Sequence, residues 1–219
     1  MIIVIDGPAG SGKSSTAKEI AKRLNLQFLD SGALYRAVTY LWLKNDKPTL
    51  QQFLERLNSV KLQTSCTHST FTVVVDGCDI TDSIRSQLVA EHVSQVASEP
   101  QIRSFVNEYM RHLIENGVYI ADGRDLGTAV FPNADLKFFM EASLEARTER
   151  RYEEAVKTDP DVQYSQIKEN LRRRDHIDSN RKADPLKKAE DAIVVDTTDK
   201  SFNEQIELMI NIIQNKLKL

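Results

Sequence analysis

Short apolar runs recur along the chain, most of them closing on an aspartate: IIVID at 2–6, QFLD at 27–30, VYIAD at 118–122, LKFFM at 136–140 and AIVVD at 192–196. Between them lie stretches whose apolar residues return every three to four positions, as in KSSTAKEIAKRLN at 13–25. Apolar runs that alternate with helical segments predict an α/β fold, a five-stranded parallel sheet flanked by helices on both faces. Ligands on such sheets gather at the carboxyl ends of the strands, where Asp6, Asp30, Asp122 and Asp196 fall. Residues 60–80, VKLQTSCTHSTFTVVVDGCDI, break the rhythm. They alternate with period two and predict a small antiparallel hairpin, inserted between helices and turning at Asp76-Gly77. The last stretch, SFNEQIELMINIIQNKLKL, predicts a helix capped by Ser201 that lays an Ile and Leu stripe on the sheet.

The first strand runs straight into VIDGPAGSGKSS, residues 4–15, which matches G-x-x-x-x-G-K-[ST] at Gly7, Gly12, Lys13 and Ser14. In that arrangement successive backbone N–H groups from Gly7, Pro8, Ala9, Gly10, Ser11, Gly12, Lys13, Ser14 and Ser15 wrap a nucleotide triphosphate, Pro8 contributing only its shape. Lys13 reaches the outer phosphates, the Ser14 hydroxyl faces a magnesium ion, and the helix beginning there aims its positive end at the anion. The strand before the loop and the helix after it are the context this motif requires.

Composition narrows the partners. A net charge of −3 gives no general pull toward nucleic acid or an anionic membrane. Cys66 and Cys78 are too few for a disulfide framework or a zinc site, and fit two packing residues of a reducing cytosol. The four histidines are scattered and suggest no metal cluster. No run approaches the roughly 18 apolar residues of a membrane span, and the N-terminus begins the fold rather than a signal peptide, so a cytoplasmic protein is expected. Its 219 residues suit a single domain with a small insert.

Two further motifs separate the nucleotide-binding classes. A guanine-reading N-K-x-D is missing from the sequence, whereas LDSGALYRA at 29–37 and IADGRDLGTAVFP at 120–132 each follow a strand. The first turns at Ser31 and Gly32 into a helix that presents Arg36, a guanidinium able to fork onto a phosphate. In the second, Gly123 and Gly127 flank Arg124 and Asp125, and Asp122 suits a magnesium-bound water. A capped helix with a solvated arginine and a plain loop cap are the simpler alternatives.

GPAGSGKSS, LDSGALYRA, SQVAS followed by IRSFV, ADGRDLGTAVFP and RRRDHIDSNR together resemble the bacterial cytidylate kinases over essentially the whole chain. The resemblance implies the P-loop nucleoside monophosphate kinase fold, one domain over 1–219, with a nucleotide-binding insert near 58–98 and a short lid with its following helix near 147–182. It implies transfer of a phosphate from ATP to CMP or dCMP with Mg²⁺, by a monomer. It also implies site residues: Lys13, Arg36, Arg124 and Arg181 as catalytic cations, with Arg36, Arg124 and Arg181 on the acceptor phosphate. Ser31 is an acceptor contact, Ser94, Arg103 and Asp125 read cytosine, and Arg174 and Asp178 meet the ribose. Members carry SGxGKGT where this chain has SGSGKSS, so Ser14 and Ser15 share the candidacy for the magnesium-facing hydroxyl. Arg147, Arg150 and Arg151, on a helix starting near Ser143, are the lid candidates. The alternatives are a kinase for another small acceptor, such as UMP or shikimate, and a nucleotide-dependent switch without a second substrate.

Overall fold

The five apolar runs assemble into one sheet in the computed structural model, which describes residues 1–114, 116–157 and 159–217. The chain runs β1 (Ile2–Asp6), α1 (Lys13–Leu24), β2 (Gln27–Asp30), α2 (Ser31–Lys44), α3 (Leu50–Ser59), β3 (Leu62–Cys66), β4 (Phe71–Val75), β5 (Cys78–Asp79) and α4 (Gln87–Val96). It continues through α5 (Pro100–Leu113), β6 (Tyr119–Asp122), β7 (Leu136–Glu141), α6 (Leu144–Ala155), α7 (Tyr164–Asn180), β8 (Ile193–Asp196) and α8 (Phe202–Leu217). The large sheet has the order β2-β6-β1-β7-β8, with every neighbouring pair parallel. β1 is central and all five of its residues are buried, which is why its sequence is an uninterrupted apolar run.

Register decides what stands at the carboxyl edge. Ile5 lies opposite Asp122 on one side of β6, and Asp30 lies opposite Asp122 on the other, so Asp6, Asp30 and Asp122 end adjacent strands. Asp196 also ends its strand at the carboxyl edge, as expected, but two strands away from Asp6. It ends the edge strand β8 in solvent, where its carboxylate accepts from Thr198 N–H at 2.9 Å and Thr198 Oγ1 at 2.7 Å.

Helices cover the sheet with the faces their periodicity announced. α1 buries Thr16, Ala17, Ile20 and Ala21, and α8 buries Ile206, Met209, Ile210 and Ile213. Ser201 and Glu204 cap α8 reciprocally, Ser201 Oγ accepting from Glu204 N–H at 3.3 Å and Glu204 Oε2 from Ser201 N–H at 2.8 Å.

The insert is a three-stranded antiparallel sheet, β3-β4-β5, rather than one hairpin turning at Asp76-Gly77. That dipeptide, with φ of 50° and 81°, joins β4 to the two-residue β5. The principal turn is at 67–70, where Thr70 N–H donates to Thr67 Oγ1 at 2.9 Å and Thr67 N–H to Thr70 O at 3.0 Å. Threonine hydroxyls close this turn from within a run of strand-compatible residues, with no Gly, Pro or Asn to mark it.

Gly7 lets β1 leave the sheet toward the loop. Its φ is +147°, and a Cβ there would lie 2.1 Å from the Met140 carbonyl oxygen of β7. Gly7→Ala is expected to destabilise the fold by about 3 kcal/mol or more. The urea midpoint at equilibrium reads this, and a wild-type midpoint would mean that β7 can yield at no cost.

Candidate active site

The loop after β1 closes on its own lysine. Lys13 Nζ donates to Pro8 O at 2.6 Å and to Ser11 Oγ at 3.2 Å, and Gly12, in the left-handed region at φ 90°, starts α1. Burial and the charge of Arg124 push the Lys13 ammonium well below its ordinary range, while Asp122, Asp6 and Asp178 pull the other way. Ser14 and Ser15 are both exposed, and it is Ser14 whose Oγ donates to Asp122 Oδ2, at 2.5 Å. Asp122 Oδ1 is buried without a hydrogen-bond partner. Burial, reinforced by Asp30, raises the Asp122 carboxyl to about 7, with Ser14, Lys13 and Arg124 opposing. An orphaned carboxylate oxygen beside a hydroxyl, at the mouth of a phosphate loop, fits a hard divalent cation.

Asp6 anchors the loop that follows β6. It accepts from Leu126 N–H at 2.9 Å and from Gly127 N–H at 2.7 Å, and burial raises its carboxyl to about 6 against those two bonds. Gly123 leaves room at the same corner, since a Cβ would lie 2.5 Å from Leu126 Cγ. Ser31 Oγ ties α2 to it by donating to Asp122 O at 2.6 Å.

Beyond the lysine lies a cluster of cations. Burial lowers the pKa of Arg36, with Arg151, Arg85 and Arg124 adding to the effect and Asp30 opposing it. Burial likewise lowers Arg174 to about 10, with Arg124 and Arg36 contributing, and its Nε is buried without a hydrogen-bond partner. Asp178 is the central counter-charge: Arg124 Nε donates to its Oδ2 at 3.0 Å, and Arg181 Nη1 stands 3.6 Å from its Oδ1. Arg174, expected with Asp178 at the ribose, lines the same cavity as Asp178 and lies among the cations.

Arg181, expected on the acceptor phosphate with Arg36 and Arg124, shares Asp178 with Arg124 and also donates from Nη2 to Asp125 Oδ1 at 2.7 Å and from Nε to Asp184 O at 2.8 Å. The other oxygen of Asp125 accepts from Arg103 Nη2. Arg103, only 1% exposed, also donates from Nε to Asp184 Oδ2 at 2.9 Å and lies 5.2 Å from the Tyr35 ring centroid. Tyr35 Oη donates to Asn107 Oδ1 at 3.0 Å, completing a polar network around the guanidinium. The motifs did not single out Asn107 or Asp184, although an aspartate before Pro185 is a turn signal. Arg85 was missed as well; from the 3₁₀ turn at Ser83–Arg85 it donates to Asp30 Oδ2 at 3.2 Å.

One cavity of about 760 Å³ joins these parts. Lys13, Ser14, Asp122 and all nine expected acceptor contacts, from Ser31 and Ser94 to Arg181, line it. Of the lid candidates, Arg150 and Arg151 line it too. Arg147 does not, because its guanidinium is bonded to the backbone of the phosphate loop, Nη1 to Ala9 O at 2.8 Å.

Comparison with known proteins agrees with this geometry. A family model described as cytidylate kinase matches residues 3–215. The chain is 41% identical over 221 residues to a cytidylate kinase of Bacillus licheniformis, covering 99% of this chain and 97% of the relative. It is 39% identical to one from Carboxydothermus hydrogenoformans, covering 99% and 98%. The fold is similar, at a TM-score of 0.50 and 14% identity over 98% of both chains, to the crystal structure of an uncharacterized protein from Eubacterium ventriosum. With a phosphate loop, a cationic floor and a buried Arg-Asp-Arg end in one cavity, and with likeness to these relatives along nearly its whole length, the chain belongs to the cytidylate kinase family.

Proposed function

We propose that this protein transfers the γ-phosphate of ATP to CMP or dCMP, giving ADP and CDP or dCDP. The observation that carries the reading is the single cavity running from Lys13, past Arg36, Arg124 and Arg174, to the Arg103–Asp125–Arg181 network. ATP lies along residues 7–15 and CMP spans the cations and the network, so the acceptor phosphate and the γ-phosphate meet over the cationic floor. An oxygen of the CMP phosphate is already an anionic nucleophile and needs no strong general base. The obstacle is bringing two polyanions to in-line contact at about 3 Å. Lys13, Arg36, Arg124 and Arg174 supply positive charge where the moving group carries its negative charge, with burial making each interaction stronger than in water.

Ser14 and the Asp122 carboxylate are the residues that would hold Mg²⁺ together with nucleotide phosphates. The ion supplies charge neutralisation on the β- and γ-oxygens when bound. Among the described residues no group of three or more His, Cys, Asp or Glu side chains gathers into a metal site, so phosphates and water complete the coordination in this reading.

At the base end, Asp125 accepts from the N4 amino group and Arg103 donates to O2 and N3. Each Asp125 oxygen holds one guanidinium bond and keeps a second lone pair for the ligand. Ser31 and Ser94 are further contacts, and Asp178 is the acceptor for ribose hydroxyls. Arg181 acts here by fixing Asp125, while Arg174 serves the phosphates. The insert near 58–98 closes the acceptor end, since Ser94 and Arg85 come from it, and the region near 147–182 forms the lid. The same reading takes the protein as a cytoplasmic monomer acting on diffusible substrates; no described helix is long and apolar enough to cross a membrane.

CMP-dependent formation of ADP tests the reaction. ATP turnover indifferent to CMP would leave a nucleotide switch instead. Lys13→Ala is expected to cut kcat by about 10²-fold or more with CMP binding retained. Near-normal turnover in the folded variant would remove Lys13 from the reacting phosphates.

Asp125→Asn replaces one acceptor by a donor. With uracil, the wild-type carboxylate faces a carbonyl oxygen, a mismatch costing about 1–3 kcal/mol. The variant is expected to lower kcat/KM for CMP and to narrow the CMP-to-UMP ratio, measured for both enzymes under identical conditions. An unchanged ratio would place the reading of cytosine elsewhere.

A further inference from the structure

Glycines at 7, 10 and 12 give the phosphate loop the freedom to wrap an anion, and the same freedom leaves its shape to be set from outside. The outer wall is the pair α6 and α7. Ala9 is 1% exposed, so both its N–H and its C=O need partners. Its N–H donates to Asp175 Oδ1 at 3.0 Å and its C=O accepts from Arg147 Nη1 at 2.8 Å. The same Nη1 donates to Asp175 Oδ2 at 2.5 Å, closing a ring of three bonds around the backbone of one residue, Ala9. Arg147 Nε donates to Ala142 O at 3.0 Å, which pins the guanidinium to the segment after β7. Around Gly10 the fit is close: a Cβ there would lie 3.4 Å from Leu171 Cδ2 and 3.5 Å from Arg147 Cβ.

Neither side chain lines the cavity, yet Asp175 follows Arg174 directly and lies one helical turn before Asp178, both of which do. One turn of α7 thus grips the donor loop with one residue and presents acceptor-side groups with its neighbours. The two oxygens of the carboxylate and the two protons of Nη1 match the polar groups of one residue's backbone, N–H to carboxylate and C=O to guanidinium, which belong to the two peptide groups flanking Ala9.

We propose that Arg147 and Asp175 are positioning residues that hold the Ala9–Gly10 turn in the conformation that receives the donor phosphates. The proposal rests on the kinase reading for its catalytic consequence and on geometry alone for its binding consequence. Arg147 is accordingly a clamp on the loop; of the two α6 arginines that line the cavity, Arg150 is bonded to the Thr197 carbonyl and hydroxyl, and Arg151 pairs with the exposed Glu154 at 3.1 Å.

The test uses the full chain with Asp175→Ala, Asp175→Asn, Arg147→Ala and Arg147→Lys. Steady-state kinetics with each substrate varied are combined with calorimetric binding of ATP alone and with thermal unfolding. Asp175→Ala and Arg147→Ala are expected to lower kcat/KM for ATP by about 10- to 100-fold, with KM for CMP within about twofold of wild type. ATP affinity should fall in the same order. Asp175→Asn keeps an acceptor for Ala9 N–H and is expected to recover part of the loss, and Arg147→Lys keeps a donor for Ala9 O and does the same. Lowered thermal stability with unchanged kinetics well below the unfolding temperature would make the pair merely structural and overturn the proposal. A loss that falls on CMP rather than ATP would overturn it too, moving the action from the loop to α7. Should the wild type form no ADP with CMP, the kinase reading fails on its own, while ATP affinity across the variants still decides the clamp. If the alanine variants do not fold, Asp175→Asn and Arg147→Lys carry the comparison.

Discussion

Guanidinium groups brought together away from water repel one another, and the rest of this site is arranged around that repulsion. Burial first, and then neighbouring arginines, lower the pKa of Arg36 and Arg174, and both remain cations at neutral pH. The fold answers with carboxylates placed between the cations: Asp30 against Arg85, Asp178 against Arg124, and Asp125 between Arg103 and Arg181. The pairing is uneven. At the base end each guanidinium is matched, while Arg174 Nε has no partner. The site is thus neutralised where an uncharged base would lie and left positive where phosphates would lie.

Placement of those carboxylates is a property of the sheet. Parallel register sets Asp30 and Asp122 side by side and leaves Asp6 at the end of the central strand. Asp6 then spends its two oxygens on the N–H groups of Leu126 and Gly127, so the segment carrying Arg124 and Asp125 is tied to the core rather than left as a free loop. Ser31 performs the matching task for α2 through the Asp122 carbonyl. Strand ends thereby act as anchors for loops, which lets flexible glycine-rich segments hold charges to within hydrogen-bond tolerance.

Much of the fold was legible because its signals are local. The five strands of the large sheet were recognisable from apolar runs and match the observed elements to within a residue at each end. The caps of α6 and α8 were readable at Ser143 and Ser201 for the same reason. The turn at 67–70 escaped notice because threonines make it through side-chain bonds, while the residue types themselves favour strand. A strand-end aspartate reads alike on a central and an edge strand, and only sheet order separates Asp196 from Asp6, Asp30 and Asp122.

The candidate site divides along the same line. Sequence alone determined the phosphate loop, the parallel α/β architecture and the cast of charged residues, because spacing along the chain dictates the loop and the periodicity, and resemblance supplied the remaining names. Only the tertiary structure decided which charge meets which. Arg181 lies 56 residues from Asp125 and Arg147 lies 138 residues from Ala9, and an arginine carries no local mark of the carboxylate or carbonyl it will reach. Long side chains span several ångströms and settle wherever burial leaves an unmet acceptor, so their partners are set by the packing of helices and strands distant in sequence.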